Sequence, residues 1–119
     1  MKGFRDLKVW KKSHELTLEI YRLSKEFPAH KIYGLTSQIR RAGFSIPANI
    51  AEGCGRNSDA DFARFLQIVM GSASELEYHL LLANDLGMLS ESGYTRVEAN
   101  VTEVKRMLSS LILRLKADR

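Results

Sequence analysis

Apolar side chains recur at alternating spacings of three and four residues along most of this chain, a period that predicts amphipathic α-helices. The pattern divides into four segments: from Leu7 to Phe27, from about Leu35 to Glu52, from Ser58 to Ala83, and from the Ser90–Thr95 region to Leu115. No alternation of apolar and polar residues is bounded by turn residues, so strands are not expected. Four helices joined by short loops predict an all-α fold, an antiparallel up-and-down four-helix bundle, as a single domain over residues 1–119.

Polar residues beside these segments predict where the helices begin and end. Asp6 precedes the first segment as a predicted N-cap, and Ser58 followed by Asp61 forms a capping-box pattern ahead of the third. Gly87 fits the C′ position after the third helix. The fourth helix begins at one of three candidate caps, which are Thr95 or, one turn earlier, Ser90 or Ser92.

The stretch SIPANIAEGCGR, residues 45–56, places a proline inside the second helix. Pro47 has no N–H, and its ring crowds the carbonyl of residue 43, which costs about 3 kcal/mol in a helix interior. Because residue 43 is glycine, the backbone there has room to bend away from the ring. We therefore predict a helix that continues through Pro47 with a kink, and a helix break is the alternative.

The residues around Pro47 carry two further predictions. Polar side chains at spacings of four, four and three would share one stripe of a continuous helix, namely Arg41, Ser45, Asn49 and Glu52. That stripe either bonds internally or satisfies the carbonyl that Pro47 leaves without a donor. Gly53 and Gly55 are then interpreted as a C-terminal cap, because the C-terminal end of a helix repels anions and the sequence has no Gly-Lys-Ser/Thr phosphate loop.

The last two helices carry more apolar residues than a single stripe requires. The additional residues are Phe65, Ile68, Met70, Met107 and Ile112. They favour a second contact surface and self-association, and a helix enclosed by its three neighbours is the alternative. The small residues from Gly71 to Ser74 would allow close helix approach, within the bundle or between subunits.

Charge is distributed unevenly along the chain. The formal net charge is +4, from 18 lysines and arginines against 14 acidic residues, and the chain up to Arg41 has ten basic and four acidic residues. A basic half could attract polyanions such as RNA or DNA. The alternative is a solvated helix face with intrahelical pairs, because Lys11 with Glu15 and Arg22 with Glu26 have the required spacing.

No recognised catalytic or metal-binding pattern is present. Glu75 and His79 are four residues apart, whereas the di-iron motif requires three, and Cys54 has no histidine near it in sequence. We therefore expect no enzyme, no metal and no cofactor. The single cysteine suits a reducing cytoplasm, the first residues lack the apolar core of a signal peptide, and no apolar run approaches the length of a membrane span. We expect a cytoplasmic protein without membrane contact.

Three glutamates lie close to apolar stripes and must either pair or shift their pKa. They are Glu52, Glu75 and Glu77. Arg40 and Arg41 are the evident partners, which would fix the second helix against the third. The same arginines could instead bind phosphate, and the sequence leaves both interpretations open.

Several stretches resemble the bacterial four-helix-bundle proteins encoded in intervening sequences of large-subunit ribosomal RNA genes. They are FRDLKVWKKSHEL in the first helix, LTSQIRRAGFSIPANIAEGCGR in the second and FARFLQIVMGSASELEYHLLLANDLGML in the third, with SIPANIAEG the most specific. The resemblance implies a four-helix bundle that assembles into a ring, typically a pentamer, without catalytic activity. A related branch is similar to the accessory variability determinant of diversity-generating retroelements, which binds nucleic acid and a reverse transcriptase.

The resemblance also assigns roles to individual residues. The basic positions that it implies for nucleic-acid binding are Lys8, Lys11, Lys12, Arg40, Arg41 and Arg56. The residue patterns described above, rather than the resemblance, give structural roles to Gly43, Pro47, Asn49, Glu52, Gly53 and Glu75. The leading hypothesis is a homo-oligomeric bundle that binds structured RNA or other nucleic acid through a basic surface. The alternative is a protein-interaction scaffold, such as one that docks a reverse transcriptase.

Overall fold

The computed structural model describes residues 3–28 and 33–117. A short 3-10 turn over Phe4–Asp6 precedes four helices, which are α1 (Lys8–Ser24), α2 (Tyr33–Cys54), α3 (Asp59–Asp85) and α4 (Glu91–Ala117). Helix α1 packs against α2 and α4, and α3 packs against the same two helices on the opposite side. The predicted all-α four-helix bundle is confirmed, and no strand occurs in the described ranges.

The apolar stripes predicted from the 3.6-residue period form the core. Ile20, Ile46, Leu66, Leu76 and Val104 are each at most 1% exposed, so every helix contributes to one continuous interior. Burial of these side chains is the main driving force for the bundle.

The ends of α3 form as predicted. The Ser58 hydroxyl accepts a hydrogen bond from the Asp61 N–H at 3.1 Å, which confirms the N-terminal cap. After the helix, Gly87 adopts a φ of +77°, and the Met88 N–H reaches back to the Ala83 carbonyl at 3.0 Å. These contacts form a Schellman motif, whose left-handed residue favours glycine.

The beginnings of α1 and α4 settle the remaining cap predictions. The predicted N-cap at Asp6 is wrong, because Asp6 lies in the 3-10 turn and Leu7 occupies the cap position without a side-chain hydrogen bond. Of the three candidates for α4, Ser90 is confirmed, since its hydroxyl accepts from the Gly93 N–H at 3.0 Å. Thr95 therefore lies inside the helix.

Helix α2 continues through Pro47, which excludes the helix break. The carbonyl of Gly43 has no N–H donor at position 47, and it instead receives the hydroxyl of Thr17 from α1 at 3.0 Å. The same hydroxyl lies 2.9 Å from the Ser13 carbonyl, so one proton serves two acceptors in a buried position. A hydrogen bond between helices thus replaces the one that proline removes, while the kink itself stays a prediction.

Gly43 also sets the distance between α1 and α2. A Cβ atom built at this position would lie 3.1 Å from Cδ1 of Ile20, tighter than ordinary contact. The absence of a side chain therefore lets α1 approach closely enough for Thr17 to reach the carbonyl.

The predicted polar stripe of α2 does not satisfy the Gly43 carbonyl. Asn49 donates to the Ser45 carbonyl at 2.9 Å and approaches the Ser45 hydroxyl at 3.0 Å. The Ser45 hydroxyl in turn lies 2.9 Å from the Ser72 hydroxyl of α3. The middle of the stripe therefore joins α2 to α3, away from α1.

Gly53 is not a cap, because it lies inside α2 and does not have a positive φ. A Cβ atom there would lie 2.7 Å from Cβ of Phe65 and 3.0 Å from Cδ1 of Phe62. Gly53 is therefore the position at which the backbone of α2 meets two aromatic side chains of α3. Gly55 follows in the turn after the helix and also lacks a positive φ.

Most of the additional apolar residues of α3 and α4 belong to the core. Phe65 and Ile112 are buried, and Met70 and Met107 pack against the core while partly exposed. Ile68 differs, because 46% of it is exposed. The alternative of enclosed helices is thus correct for four of the five residues.

We expect Thr17→Val to lower the free energy of unfolding by about 1–3 kcal/mol, because the buried Gly43 carbonyl loses its donor. In a Pro47→Ala background an N–H returns to position 47, so the same substitution should cost less. Urea denaturation of the four proteins in this double-mutant cycle measures the difference. Thr102→Val, at an exposed position of α4, is the control. An equal cost in both backgrounds would show that Thr17 does not serve the proline.

Candidate nucleic-acid interface

None of the basic residues of α1 forms an ion pair in the part of the chain that the structure describes, and the same is true of Arg5, Arg40, Arg114 and Lys116. Within the described ranges, all ion pairs take their cation from α2, α3, α4 or the loop between α2 and α3. The cations without such a pair are Lys8, Lys11, Lys12 and Arg22 of α1 and Lys25, its C-cap residue. The expected intrahelical pairs of Lys11 with Glu15 and of Arg22 with Glu26 do not form within 4 Å. The interpretation of α1 as a solvated face with intrahelical ion pairs is therefore not supported.

The three predicted lysines of α1 are not equivalent. Lys8 and Lys11 are exposed, whereas Lys12 is half-buried on the side that faces α4. A hydrogen bond from Arg106 lowers the pKa of the Glu103 carboxyl on α4, and the charge of Lys12 contributes to the same effect. The positive charge of Lys12 is therefore partly offset, and Lys8 and Lys11 are the more available pair.

Arg41 joins α2 to α3, which is one of the two interpretations that the sequence leaves open. Its guanidinium lies 3.4 Å from the Glu75 carboxylate and donates to the Gln38 side chain at 2.7 Å. Both side chains of the ion pair are about half exposed, so water and salt weaken the attraction.

Arg56 is held by the α2–α3 loop and its flanking helices. It pairs with Glu52 at 2.8 Å and lies 3.8 Å from Asp61, and its guanidinium covers the ring of Phe65. Two carboxylates thus compensate its charge, which makes Arg56 a contact of the loop rather than a free anion ligand. The third predicted acid, Glu77, pairs with Lys105 of α4 at 3.0 Å.

Arg40 has no carboxylate partner among the described residues, contrary to the predicted pairing with α3 acids. Its Nε donates to the hydroxyl of Ser24 at 2.7 Å, and its guanidinium lies 5.2 Å from the ring centre of Tyr21. Ser24 is 3% exposed and donates to the Tyr21 carbonyl, so the residue that orients Arg40 is itself fixed.

The six predicted basic residues do not form one patch in a single protomer. Arg40 lies beside α1 at the position of Ser24. Along the axis of α1, Ser24 is about 20 Å from Lys11. Arg56 lies at the other end of α2, roughly 24 Å from Arg40. The structure therefore separates them into the free cations of α1, the Arg40 region, and the paired Arg41 and Arg56.

A groove of about 520 Å³ lies between α1 and α2 above the contact of Ser24 with Arg40. Its lining includes Tyr21, Ser24, Lys25, Arg40, Arg41 and Phe44, and none of the described residues that line it is acidic. Sequence reasoning did not single out Tyr21, Ser24, Lys25 or Phe44. The sequence signal that could have indicated this groove is Phe44, an aromatic residue that lies two positions from both Ala42 and Ile46 and therefore outside the apolar stripe.

The described residues provide no evident site for metal or nucleophilic chemistry. No group of three or more histidine, cysteine, aspartate or glutamate side chains in these ranges could hold a metal ion. Burial raises the pKa of the Cys54 thiol, which disfavours the reactive thiolate. None of the helices in the same ranges is both long and apolar enough to cross a bilayer.

Two comparisons relate the chain to known proteins. A family model described as 23S rRNA-intervening sequence protein matches residues 5–110. A crystal structure of a protein with unknown function from the S23 ribosomal protein family, from Bacteroides thetaiotaomicron VPI-5482, is 34% identical with a TM-score of 0.80. That match covers 87% of this chain and 97% of the other. No curated protein matches.

Arg41→Glu is expected to lower the free energy of unfolding by less than about 1 kcal/mol, because its ion pair with Glu75 is exposed. The double substitution Arg41→Glu with Glu75→Arg should recover most of that loss by restoring opposite charges. Thermal denaturation of the wild type, both single variants and the exchange variant measures the coupling. Unfolding of Arg41→Glu at room temperature would instead make this pair essential to the bundle.

Proposed function

The chain belongs to the 23S rRNA-intervening sequence protein family, and from this membership and its free cations we propose that it is a non-catalytic, homo-oligomeric protein that binds structured RNA. The basic face of α1 provides the main contacts with phosphate. Binding is mainly electrostatic and has little sequence preference.

The observation that carries the proposal is that five cations lie along α1 and its C-cap without an ion pair to a described acid, whereas most cations of α3 and α4 are paired. Cations elsewhere, such as Arg64 and Arg96, already contact carboxylates, and an incoming phosphate would have to displace them. The cations of α1 would exchange only water and counterions for phosphate. They extend from Lys8 to Lys25, about 25 Å along the helix, which allows several phosphate contacts.

A stripe on the outside of α3 supports self-association. Five exposed positions at spacings of four, three, four and three carry no charge, and they are Gln67, Gly71, Ser74, Tyr78 and Leu81. Tyr78 is 58% exposed, and Gly71 and Ser74 would let another helix approach closely. Assembly through this stripe, with a pentamer expected from the family resemblance, would repeat the basic face of α1 in every subunit.

The alternative function, a scaffold that docks a protein such as a reverse transcriptase, would use the same uncharged stripe. It differs from the proposed function in what α1 does. A scaffold needs no phosphate contacts on α1, so the dependence of RNA affinity on salt distinguishes the two functions.

We expect the protein to bind an RNA hairpin with an affinity that falls steeply as salt rises. Replacing Lys8 and Lys11 together by Gln should reduce the slope of log K against log salt by about 1.4–1.8 for each protomer that contacts the RNA, because two phosphate contacts are lost. Fluorescence anisotropy across a salt series measures this slope.

The control for charge is the pair Arg64→Gln with Arg106→Gln, which removes two positive charges that are already paired with acids. It should change the slope much less. Equal effects of the two double variants would attribute binding to net charge rather than to α1, and no binding at low salt would reject the RNA-binding function.

Gly71→Arg is expected to reduce the assembly to monomers without unfolding them, because a long charged side chain blocks close approach at the α3 stripe. No heavy atom lies within 4 Å of a Cβ at this position, so the protomer itself has room for the substitution. Light scattering after size-exclusion chromatography measures the mass, and Thr102→Arg on α4 is the control. An unchanged mass would exclude this stripe as the interface.

A further inference from the structure

The groove between α1 and α2 combines positive charge with aromatic surface. Lys25, Arg40 and Arg41 supply the charge, and the exposed aromatic residues Tyr21 and Phe44 lie on the two helices. The Arg41 guanidinium is engaged with Glu75 and Gln38, which leaves Lys25 and Arg40 as the groove cations that have no acidic partner among the described residues.

Arg40 is held in position before any ligand arrives. Its Nε is bound to the buried Ser24 hydroxyl and its guanidinium rests on Tyr21. Its two terminal nitrogens make no hydrogen bond with the described residues and remain as donors. A preorganised arginine fork loses little conformational entropy when it binds a phosphate.

Phe44 provides an open aromatic face. It is 47% exposed, and no ring or cation of the described residues stacks on it. Phe65 is different, because the guanidinium groups of Arg56 and Arg64 lie 4.6 and 4.8 Å from its ring centre. Phe44 is thus a half-exposed phenylalanine beside two cations, with no stacking partner among the described residues.

We propose that this groove binds a single nucleoside phosphate, with its base stacked on Phe44 and its phosphate bound by Arg40 and Lys25. The inference rests on the RNA-binding function proposed above and adds a defined site for one unpaired nucleotide of the RNA. The groove volume lies within the usual range for small-molecule sites.

The chemistry selects an unpaired nucleotide over a base-paired one. Bases inside a duplex already stack on their neighbours, whereas bases in loops and bulges are free to stack on an aromatic side chain. Such stacking tolerates every base, so the groove would select for single-stranded character rather than for sequence.

Phe44→Ala tests the proposal with two RNAs of equal length and charge, a fully paired duplex and an unstructured strand. We expect the substitution to weaken binding of the unstructured strand roughly 5- to 100-fold, because one base loses its stacking partner. Affinity for the duplex should change less than about 2-fold, since phosphate contacts with α1 are retained. Phe44→Trp should retain binding of the unstructured strand, and Leu113→Ala, at an exposed position of α4, is the control.

Ser24→Ala tests the positioning of Arg40. It should weaken binding of 5′-AMP but not of adenosine, because only the phosphate depends on an oriented guanidinium. Arg40→Gln should have the same selectivity with a larger effect. Isothermal titration calorimetry with 5′-AMP and with adenosine measures both effects. Comparing these affinities with the affinity for the unstructured RNA strand shows whether the ligand is a free nucleotide or a nucleotide within RNA.

The outcomes separate this inference from the proposed function. If the unstructured strand binds but Phe44→Ala has no effect, or weakens the duplex equally, the groove proposal is overturned while RNA binding stands. If no RNA binds but 5′-AMP does so through Phe44 and Arg40, the groove is a mononucleotide site and the RNA-binding function fails. If neither RNA nor 5′-AMP binds, both proposals are wrong.

Discussion

The arrangement of α1 against α2 depends on how the protein satisfies one carbonyl. Pro47 removes the donor for Gly43, and a buried carbonyl without a donor is costly. Thr17 supplies that donor from α1, and it reaches the carbonyl because Gly43 has no side chain between the helices. A local defect of α2 therefore fixes the position of α1, and with it the groove that the two helices form. In a helix without such a neighbouring donor, the same proline would leave a buried carbonyl without a hydrogen bond and destabilise the fold.

The distribution of ion pairs follows from the position of each helix. α2 and α3 lie side by side with cations of one facing acids of the other, as in Arg41 and Glu75. α1 contributes an acid to α4, since Glu19 accepts from Arg96 and Asn100, but it keeps its own cations unpaired. The basic first part of the sequence thus becomes a surface with excess positive charge, whereas five of the acids after Arg41 are held in ion pairs.

The sequence predicts the fold well because the patterns that specify each helix lie within that helix or at its ends. A 3.6-residue apolar period identified all four helices, and short-range signals at Ser58 and Gly87 located both ends of α3, while Ser90 was one of three candidates for the start of α4. The failures involve contacts between distant residues. Gly53 was interpreted as a cap because glycine commonly follows helices, but its role is to admit Phe62 and Phe65 of another helix. Asp6 likewise lies in a 3-10 turn rather than at the N-cap of α1, for which the local pattern gave no indication.

The candidate site was less predictable for the same reason. Charge alone grouped Arg40 with Arg41, although adjacent residues on a helix point about 100° apart and meet different neighbours. Ser24 could not be recognised as the partner of Arg40 without knowing that α1 packs beside α2.

The Glu19 contacts have a consequence for the order of events during synthesis. The carboxylate of Glu19 is only 14% exposed, and both of its partners are contributed by α4, near the end of the chain. A ribosome must therefore add some eighty further residues before the first helix gains its second flank. Until then α1 is supported by α2 alone, so the helix that is translated first is enclosed only when the last helix has been made.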